Sequence, residues 1–384
     1  MLGMSVTDVT AARAATTTGL NTPSGYRAGI VGTGFMGGVH AHAVRVSGGE
    51  VIAVAAGSER SAREAAPGMH AGRAVAAVHE LIEADDVDVV HVCTPNHLHQ
   101  QITLAAIAAG KHVVCEKPLA VRAADAAAMV EAATHAGVIG TVPFVYRFHP
   151  MIREARRKVR SGEIGTVHLM HGSYLQDWLS KPSDDNWRVD PESGGASRAF
   201  ADIGSHWCDL LEFVTGDLIG ALSARTSTVN LQRGEHTEAA VATEDLVTLQ
   251  FETIAGVLGT ATISQVSPGR KNRLFLEVSG AEASLAFDQE EPEKLWQGGR
   301  TGSKLLVRDP ETLSTESARY ARIPAGHAQG YQDCFNNFVI DTATAVAGDA
   351  PDGLPTFADG LRGAQIAEAV LASADSRTWV EVPR

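Results

Sequence analysis

The 384-residue sequence predicts an α/β protein in two parts. Residues 26–146 read as an N-terminal doubly wound parallel sheet. Residues 147–384 read as a C-terminal α+β domain on a large, open, mostly antiparallel sheet. Three observations carry this. Between residues 26 and 142, short apolar runs alternate with helical segments, the pattern that lays strands parallel. The first turn of that series is glycine-rich, with Gly32, Gly34 and Gly37 standing between an apolar run and a helical segment. Beyond about residue 150 the runs alternate polar with apolar residues and few helices separate them, as in an antiparallel or mixed sheet.

The elements follow in order. Ala28–Val31 is a buried strand, and a helical segment follows the glycines. Val51–Ala56 is the second strand, and Ser58–Ala66 a short helix ended by Pro67–Gly68. Residues 73–75 form a third strand and Ala77–Ala84 a helix. Val87–Cys93 is a strong strand, His97–Ala109 an alanine-rich helix closed by Gly110, and His112–Glu116 the next strand. The helix Ala123–Ala136 stops at Gly137 before a last strand, Val138–Val142. In the second part, Thr166–Gln176, Ala221–Leu231, Asp245–Phe251, Gly256–Val266, Arg273–Ser279 and Ala283–Phe287 read as strands. Helices Gln329–Val346 and Phe357–Ala374 and a tail, Trp379–Val382, close the chain.

Composition narrows the function classes. An apolar fraction of 44% and a charged fraction of 20% belong to an ordinary globular protein. A net charge of -13 argues against nucleic acid or an anionic membrane as partner. No apolar run approaches a membrane span. Cys93, Cys115, Cys208 and Cys334 form no CxxC pair and read as reduced structural thiols. Residues 1–25 carry no apolar signal core and read as a flexible extension, so a cytoplasmic protein is expected.

The glycine turn indicates a dinucleotide. Gly32 permits the tight turn, Gly34 lets a pyrophosphate approach the backbone, and Gly37 lets the helix pack on the strand. The helix N-terminus adds free N–H groups and a positive dipole end. Doubly wound sheets bind ligands beyond the carboxyl ends of their strands, which selects Gly32–Gly37 (including Phe35 and Met36), Ala56–Arg60, Thr94–His99 (including Pro95 and Asn96) and Glu116–Pro118. The acid that holds the adenosine ribose of NAD is missing at the end of the second strand. Glu59 could serve instead, or be a solvated helix residue, and Arg60 could meet the 2′-phosphate of NADP. Ser58 lies at the same edge. NAD is expected ahead of NADP.

Two places look chemical. Lys117 precedes a proline, which keeps it extended into the crevice at a strand's carboxyl end. If Asp202–His206 begins a helix, Asp202 and His206 lie one turn apart, with Asp209 a turn further. Ile203, Trp207, Leu210 and Leu211 would then face the core. No HxxEH or paired-cysteine spacing exists, and His97 and His99 would diverge on a helix, so no metal is expected.

Together these motifs resemble the Gfo/Idh/MocA family, the glucose–fructose oxidoreductase and inositol dehydrogenase group. They are GTGFMG (32–37), CTPNHLH (93–99), AGKHVVCEKPLA (109–120), VYRFHP (145–150), GG…DIGSHWCDL (194–210) and DGLRGAQIAEAV (359–370). The resemblance implies a Rossmann domain plus an open-sheet substrate domain, in homodimers or homotetramers formed through that sheet. It places the catalytic lysine on Lys117 and the Asp-x-x-x-His pair on Asp202 and His206. Thr94, Asn96 and His99 would lie on the nicotinamide side, with Glu116 and Arg147 also toward the cofactor and Tyr146 toward substrate. It implies hydride transfer between NAD(P) and a secondary hydroxyl of a sugar, sugar derivative or cyclitol. Lys117 would be the base, and His206, oriented by Asp202, the alternative base or relay.

Substrate is expected at the loop 177–198. Trp178 and Trp187 can stack on a sugar, and Lys181 and Arg188 could meet an anionic group such as a carboxylate or sulfonate. The alternative enzyme is an NAD-dependent glycoside hydrolase of the same family, which oxidises transiently, eliminates the aglycone, adds water and re-reduces. A non-catalytic dinucleotide sensor would not need Lys117, Asp202 and His206 together.

Overall fold

A computed structural model describes residues 25–234 and 240–384, so the expected flexible extension lies outside the described residues except for Gly25. The first sheet contains β1 (Arg27–Val31), β2 (Glu50–Ala55), β3 (Arg73–Ala74), β4 (Val89–Val92), β5 (His112–Cys115) and β6 (Gly140–Thr141). Its order is β3-β2-β1-β4-β5-β6, and every pairing is parallel. Four consecutive residues of β1 and all four of β4 are buried. Helices cover both faces of such a sheet, which is why its strands read as continuous apolar runs.

The second sheet contains β7 (Val167–Leu175), β8 (Ile219–Ser227), β9 (Leu246–Thr253), β10 (Leu258–Ser264), β11 (Arg273–Gly280), β12 (Ala283–Asp288), β13 (Lys294–Gly299), β14 (Gly302–Val307) and β15 (Val380–Glu381). They run in the order β14-β13-β12-β11-β7-β10-β9-β8-β15. Only β7 and β10 pair in parallel. Burial along β9 alternates strictly, so one face packs and the other is open. The packed face meets Met151, Ile152 and Ala155 of the helix Pro150–Arg160, Trp207, Leu210 and Leu211 of Ser205–Thr215, and Ile366, Ala369 and Val370 of Phe357–Ser376.

The chain's last helices also cover the first sheet. Phe335, Phe338 and Val339 of Tyr331–Val346 pack with Val39, Ala43 and Val44 of Phe35–Val46. Phe357 and Ala364 join Ala126 and Met129 of Ala123–Ala136. Burying each large apolar side chain contributes about 1.5–3 kcal/mol, so these contacts tie the two sheets into one body.

Several expectations need correction. The second helix runs through Pro67 and Gly68 to Met69, where His70 caps it in the left-handed region. Pro67 costs the last turn one backbone bond, and His70, in the left-handed region, donates its N–H to the Pro67 carbonyl and closes the end. The helix after β3 covers only Val78–Ile82. The segment from Asn96 opens as a 3-10 turn and becomes α-helical at His99. Strands β13 and β14 and the helix Pro150–Arg160 were not foreseen. The strand pair lies at the sheet edge, with β14 almost wholly exposed, so it lacks an apolar signal. The helix is charged on one side, with Arg157, Lys158 and Arg160 in its last turn.

Candidate active site

A cleft of about 1000 Å³ opens at the carboxyl ends of the first sheet's strands. Its floor is the glycine turn. Gly32 sits at φ 100°, and a Cβ there would lie 2.4 Å from the carbonyl oxygen of Cys93. At Gly37 a Cβ would lie 2.1 Å from the oxygen of Gly32, so the helix approaches the turn as only glycine allows. Gly34 has open space where its side chain would be, on the cleft wall. No side chain caps the helix Phe35–Val46, and its first turn carries no acid. Its leading N–H groups are therefore free for an anion. Phe35 is 79% exposed beside them, and the buried hydroxyl of Thr94 on the same wall has no hydrogen-bond partner among the described residues. These features fit a dinucleotide.

Acid–base groups stand at the other end of the cleft. Lys117 donates from Nζ to Asp202 Oδ1 at 2.6 Å and to the Asp202 carbonyl at 2.9 Å. Gln265 Nε2 donates to Asp202 Oδ2 at 2.8 Å, and Arg188 Nε lies 3.4 Å from Oδ1. Burial alone would raise the pKa of Asp202, but the charges of Lys117 and Arg188 hold it down at about 2. Asp202 is therefore an anion at neutral pH.

Asp202 lies in a π turn, Phe200–Gly204, which leads into the helix Ser205–Thr215. Among the described residues no hydrogen bond joins Asp202 to His206, contrary to the expected orienting pair. The wider π turn breaks the regular four-residue spacing, and Lys117 and Gln265 take the carboxylate instead. His206 packs edge-on against Phe144 and Tyr146, with its Nδ1 buried and unpartnered. Burial, with the charge of Lys117, pushes it well below the usual histidine range, so the imidazole is neutral. Tyr146 lies beneath it and hydrogen-bonds Tyr174 at 2.6 Å and Asn272 at 3.0 Å. Its phenol is pushed up to about 12 by burial.

Of the expected residues, Gly32, Gly34, Phe35, Met36, Thr94, Pro95, Asn96, His99, Glu116, Lys117, Trp178, Trp187, Arg188 and Asp202 line this one cleft. Asn96 and His99 spend their polar atoms on the scaffold. Asn96 donates to Gly194 O at 2.9 Å, and the His99 ring nitrogens meet Pro118 O and Thr94 O.

Gly37, Tyr146 and His206 are not among the residues that line the cleft, and five more expected residues stand elsewhere. Ser58 caps the second helix by accepting from Ser61 N, while Glu59 pairs with Arg63 and Arg60 with Glu64, one turn on. Ser61 lines the cleft in their place. Arg147 is buried in ion pairs with Asp209 and, at 2.7 Å, Asp359, and its plane lies over Phe213. It therefore braces the two helices that carry these acids. Asp209, expected a turn beyond His206, is thus committed to Arg147. Lys181 is exposed outside the cleft, its carbonyl held by Arg233. The expected cation pair for an anionic substrate therefore does not form, and Arg188 is engaged by Asp202 and the Trp187 ring.

Sequence reasoning missed Gln176, Asn186 and Gln265. Gln176 and Gln265 directly follow β7 and β10, whose register pairs Leu175 with Ser264. An amide at or beside the carboxyl end of each of two β-like runs, Thr166–Gln176 and Gly256–Val266, is the signal that could have found them. Gln176 accepts from Trp178 Nε1 at 2.7 Å and so fixes that ring on the cleft wall. Among the described residues no cluster of three or more His, Cys, Asp or Glu could hold a metal ion. All four cysteines are free.

Residues 26–144 match the oxidoreductase family with an NAD-binding Rossmann fold, and residues 152–286 match the Gfo/Idh/MocA C-terminal domain. The chain belongs to the Gfo/Idh/MocA family. The levoglucosan dehydrogenase of Pseudarthrobacter phenanthrenivorans is 30% identical over 93% of this chain and 98% of its own. A solved levoglucosan dehydrogenase in complex with NADH and levoglucosan superposes with a TM-score of 0.87 at 29% identity, over 93% of this chain and 99% of that one. An inositol dehydrogenase homolog from Azotobacter vinelandii, complexed with NADH and myo-inositol, gives 0.84 at 26% identity, over 92% and 97%. This Gfo/Idh/MocA chain is therefore an NAD-dependent oxidoreductase, and its residues 26–144 are an NAD-binding Rossmann fold.

Proposed function

We propose that this enzyme oxidises a secondary hydroxyl of a neutral sugar, anhydrosugar or cyclitol, with Lys117 as the proton acceptor. The observation that carries the reading is the 2.6 Å contact between Lys117 Nζ and Asp202 Oδ1 on the wall of the dinucleotide cleft. A nicotinamide dinucleotide held at Gly32–Gly37 would supply the hydride acceptor for the carbinol carbon. The chain's own residues must then manage the hydroxyl proton. Two of the three ammonium hydrogens of Lys117 are committed to Asp202, which leaves one position for a substrate oxygen. In the neutral amine that position is the lone pair that takes the proton. Asp202 stays anionic and stabilises the ammonium that forms, while Gln265 and Arg188 hold its carboxylate still. His206, kept neutral, stands near this pair as an uncharged imidazole.

Neutral substrate chemistry is supported by the site's cations, since Arg188 is paired with Asp202 and Lys181 stands away. Trp178 and Trp187 supply the flat apolar surfaces that pyranose and cyclitol rings stack on. The test is to offer levoglucosan, inositols and simple aldoses with NAD and follow reduced cofactor against product. Stoichiometric reduction supports the dehydrogenase. Aglycone release from aryl glycosides at catalytic NAD, with no net reduction, would replace it by the redox-assisted hydrolase.

The open face of the second sheet supports a homo-oligomer. Leu169 pairs with Leu258 and Trp296 with Leu305 across neighbouring strands, and all four side chains are exposed. Four free thiols, three of them buried, suit a cytoplasmic enzyme. Among the described residues no helix is long and apolar enough to cross a membrane.

A further inference from the structure

Behind the cleft wall lies a chain of buried titratable groups that the acid–base cluster does not use. The Tyr26 hydroxyl is 2.9 Å from His91 Nε2, His91 Nδ1 is 2.8 Å from His40 Nδ1, and His40 Nε2 is 3.0 Å from Glu116 Oε1. The other carboxylate oxygen of Glu116 accepts from the backbone N–H of Lys117 at 3.0 Å. Both imidazoles are 0% exposed, Tyr26 is 4% exposed and Glu116 6%. Residues from β1's edge, β4, the helix Phe35–Val46 and the end of β5 thus meet in one line.

The ends of this line determine its direction. A neutral imidazole donates through one nitrogen and accepts through the other. If Tyr26 donates to His91 Nε2, His91 must carry its proton on Nδ1 and donate to His40. His40 then carries its proton on Nε2 and donates to an ionised Glu116, and every hydrogen has an acceptor. In the reverse direction a protonated Glu116 would start the line. His91 would donate to Tyr26, whose own hydrogen would have no acceptor among the described residues. A cationic His40 meets the same obstacle, because His91 must then accept at Nδ1. Stranding a buried donor is costly, so one direction prevails.

We propose that Tyr26, His91 and His40 are positioning residues that hold Glu116 as an oriented carboxylate on the cleft wall, and that this fixed negative charge favours the oxidised, cationic dinucleotide over the reduced one. The inference rests on the NAD reading of the cleft. The reacting end of the dinucleotide must meet the Lys117–Asp202 cluster, and Glu116 is the residue next to Lys117. A unit charge at such range inside a protein changes an equilibrium by about tenfold.

The test uses the full chain and two separate readouts. Calorimetry with NAD+ and fluorescence titration with NADH give the two dissociation constants. Glu116→Gln should raise the ratio of the NAD+ to the NADH constant by about tenfold, and His91→Phe should raise it in the same direction by less. An unchanged ratio in folded Glu116→Gln overturns the proposal. If that variant does not fold, His91→Phe decides by the same ratio. Independently, 15N spectra of histidine-labelled protein, assigned with His40→Gln and His91→Phe, should show neutral rings protonated at Nε2 in His40 and Nδ1 in His91. A cationic His40 or the opposite tautomers also overturn it. If the unaltered chain binds neither cofactor form, the NAD reading fails, while the spectra still judge the chain of hydrogen bonds.

Discussion

In the proposed reaction Lys117 takes the proton while His206 stays uncharged, and each can be removed separately. Lys117→Ala and His206→Ala should each lower kcat by about 10²–10⁴-fold, the usual contribution of a general acid–base group. Both variants should remain folded, and NAD affinity should stay near that of the unaltered chain. Near-normal turnover on a good substrate would make the altered residue structural. Asp202 adds a stability signature. Its folded-state value of about 2 lies below the ordinary 3.8, so its ionised form stabilises the fold above 3.8. That contribution is lost as pH falls through about 2. It amounts to about 2 kcal/mol. In urea unfolding followed from pH 4 to pH 2, the unaltered chain should lose about that much more stability than Asp202→Asn. Equal losses would mean that the carboxylate gains nothing from Lys117 and Arg188.

At the level of elements, the glycine turn separates binding from folding. Gly34 opens onto the cleft, so Gly34→Val should fold normally and lose NAD binding beyond detection by calorimetry. Gly37→Val would press a side chain against the Gly32 carbonyl and should melt at clearly lower temperature even without ligand. If both variants melt normally and bind NAD, the turn is not the pyrophosphate site. The π turn at Phe200–Gly204 is the second decisive element. It carries Asp202 to Lys117 and Gln265, and among the described residues no hydrogen bond joins it to the histidine four positions on.

For the whole molecule, the open face of the nine-stranded sheet is where association is expected. Leu258→Glu with Trp296→Glu should shift the species seen by light scattering toward the monomer, because each buries a charge in an apolar contact. An unaltered chain that is already monomeric would remove this face from consideration.

Local features were legible in the linear chain because their causes are local. The strand–glycine–helix turn, the continuous apolar runs of β1 and β4, the alternation along β9 and the helix Ala123–Ala136 each follow from neighbouring residues and fixed periodicities. The same holds for Lys117, set at a strand end before a proline. The motifs also sufficed for the family and hence for NAD. Partnership across the fold was decided only by tertiary structure. Glu59 and Arg60 turn to helix neighbours, Arg147 to Asp209 and Asp359, and Asp202 to a glutamine 63 positions away. The line from Tyr26 through His91 and His40 to Glu116 joins residues with no common spacing. A side chain's hydrogen bonds and charge state depend on what the packed sheets bring within about 3 Å, and no period along the chain encodes that distance.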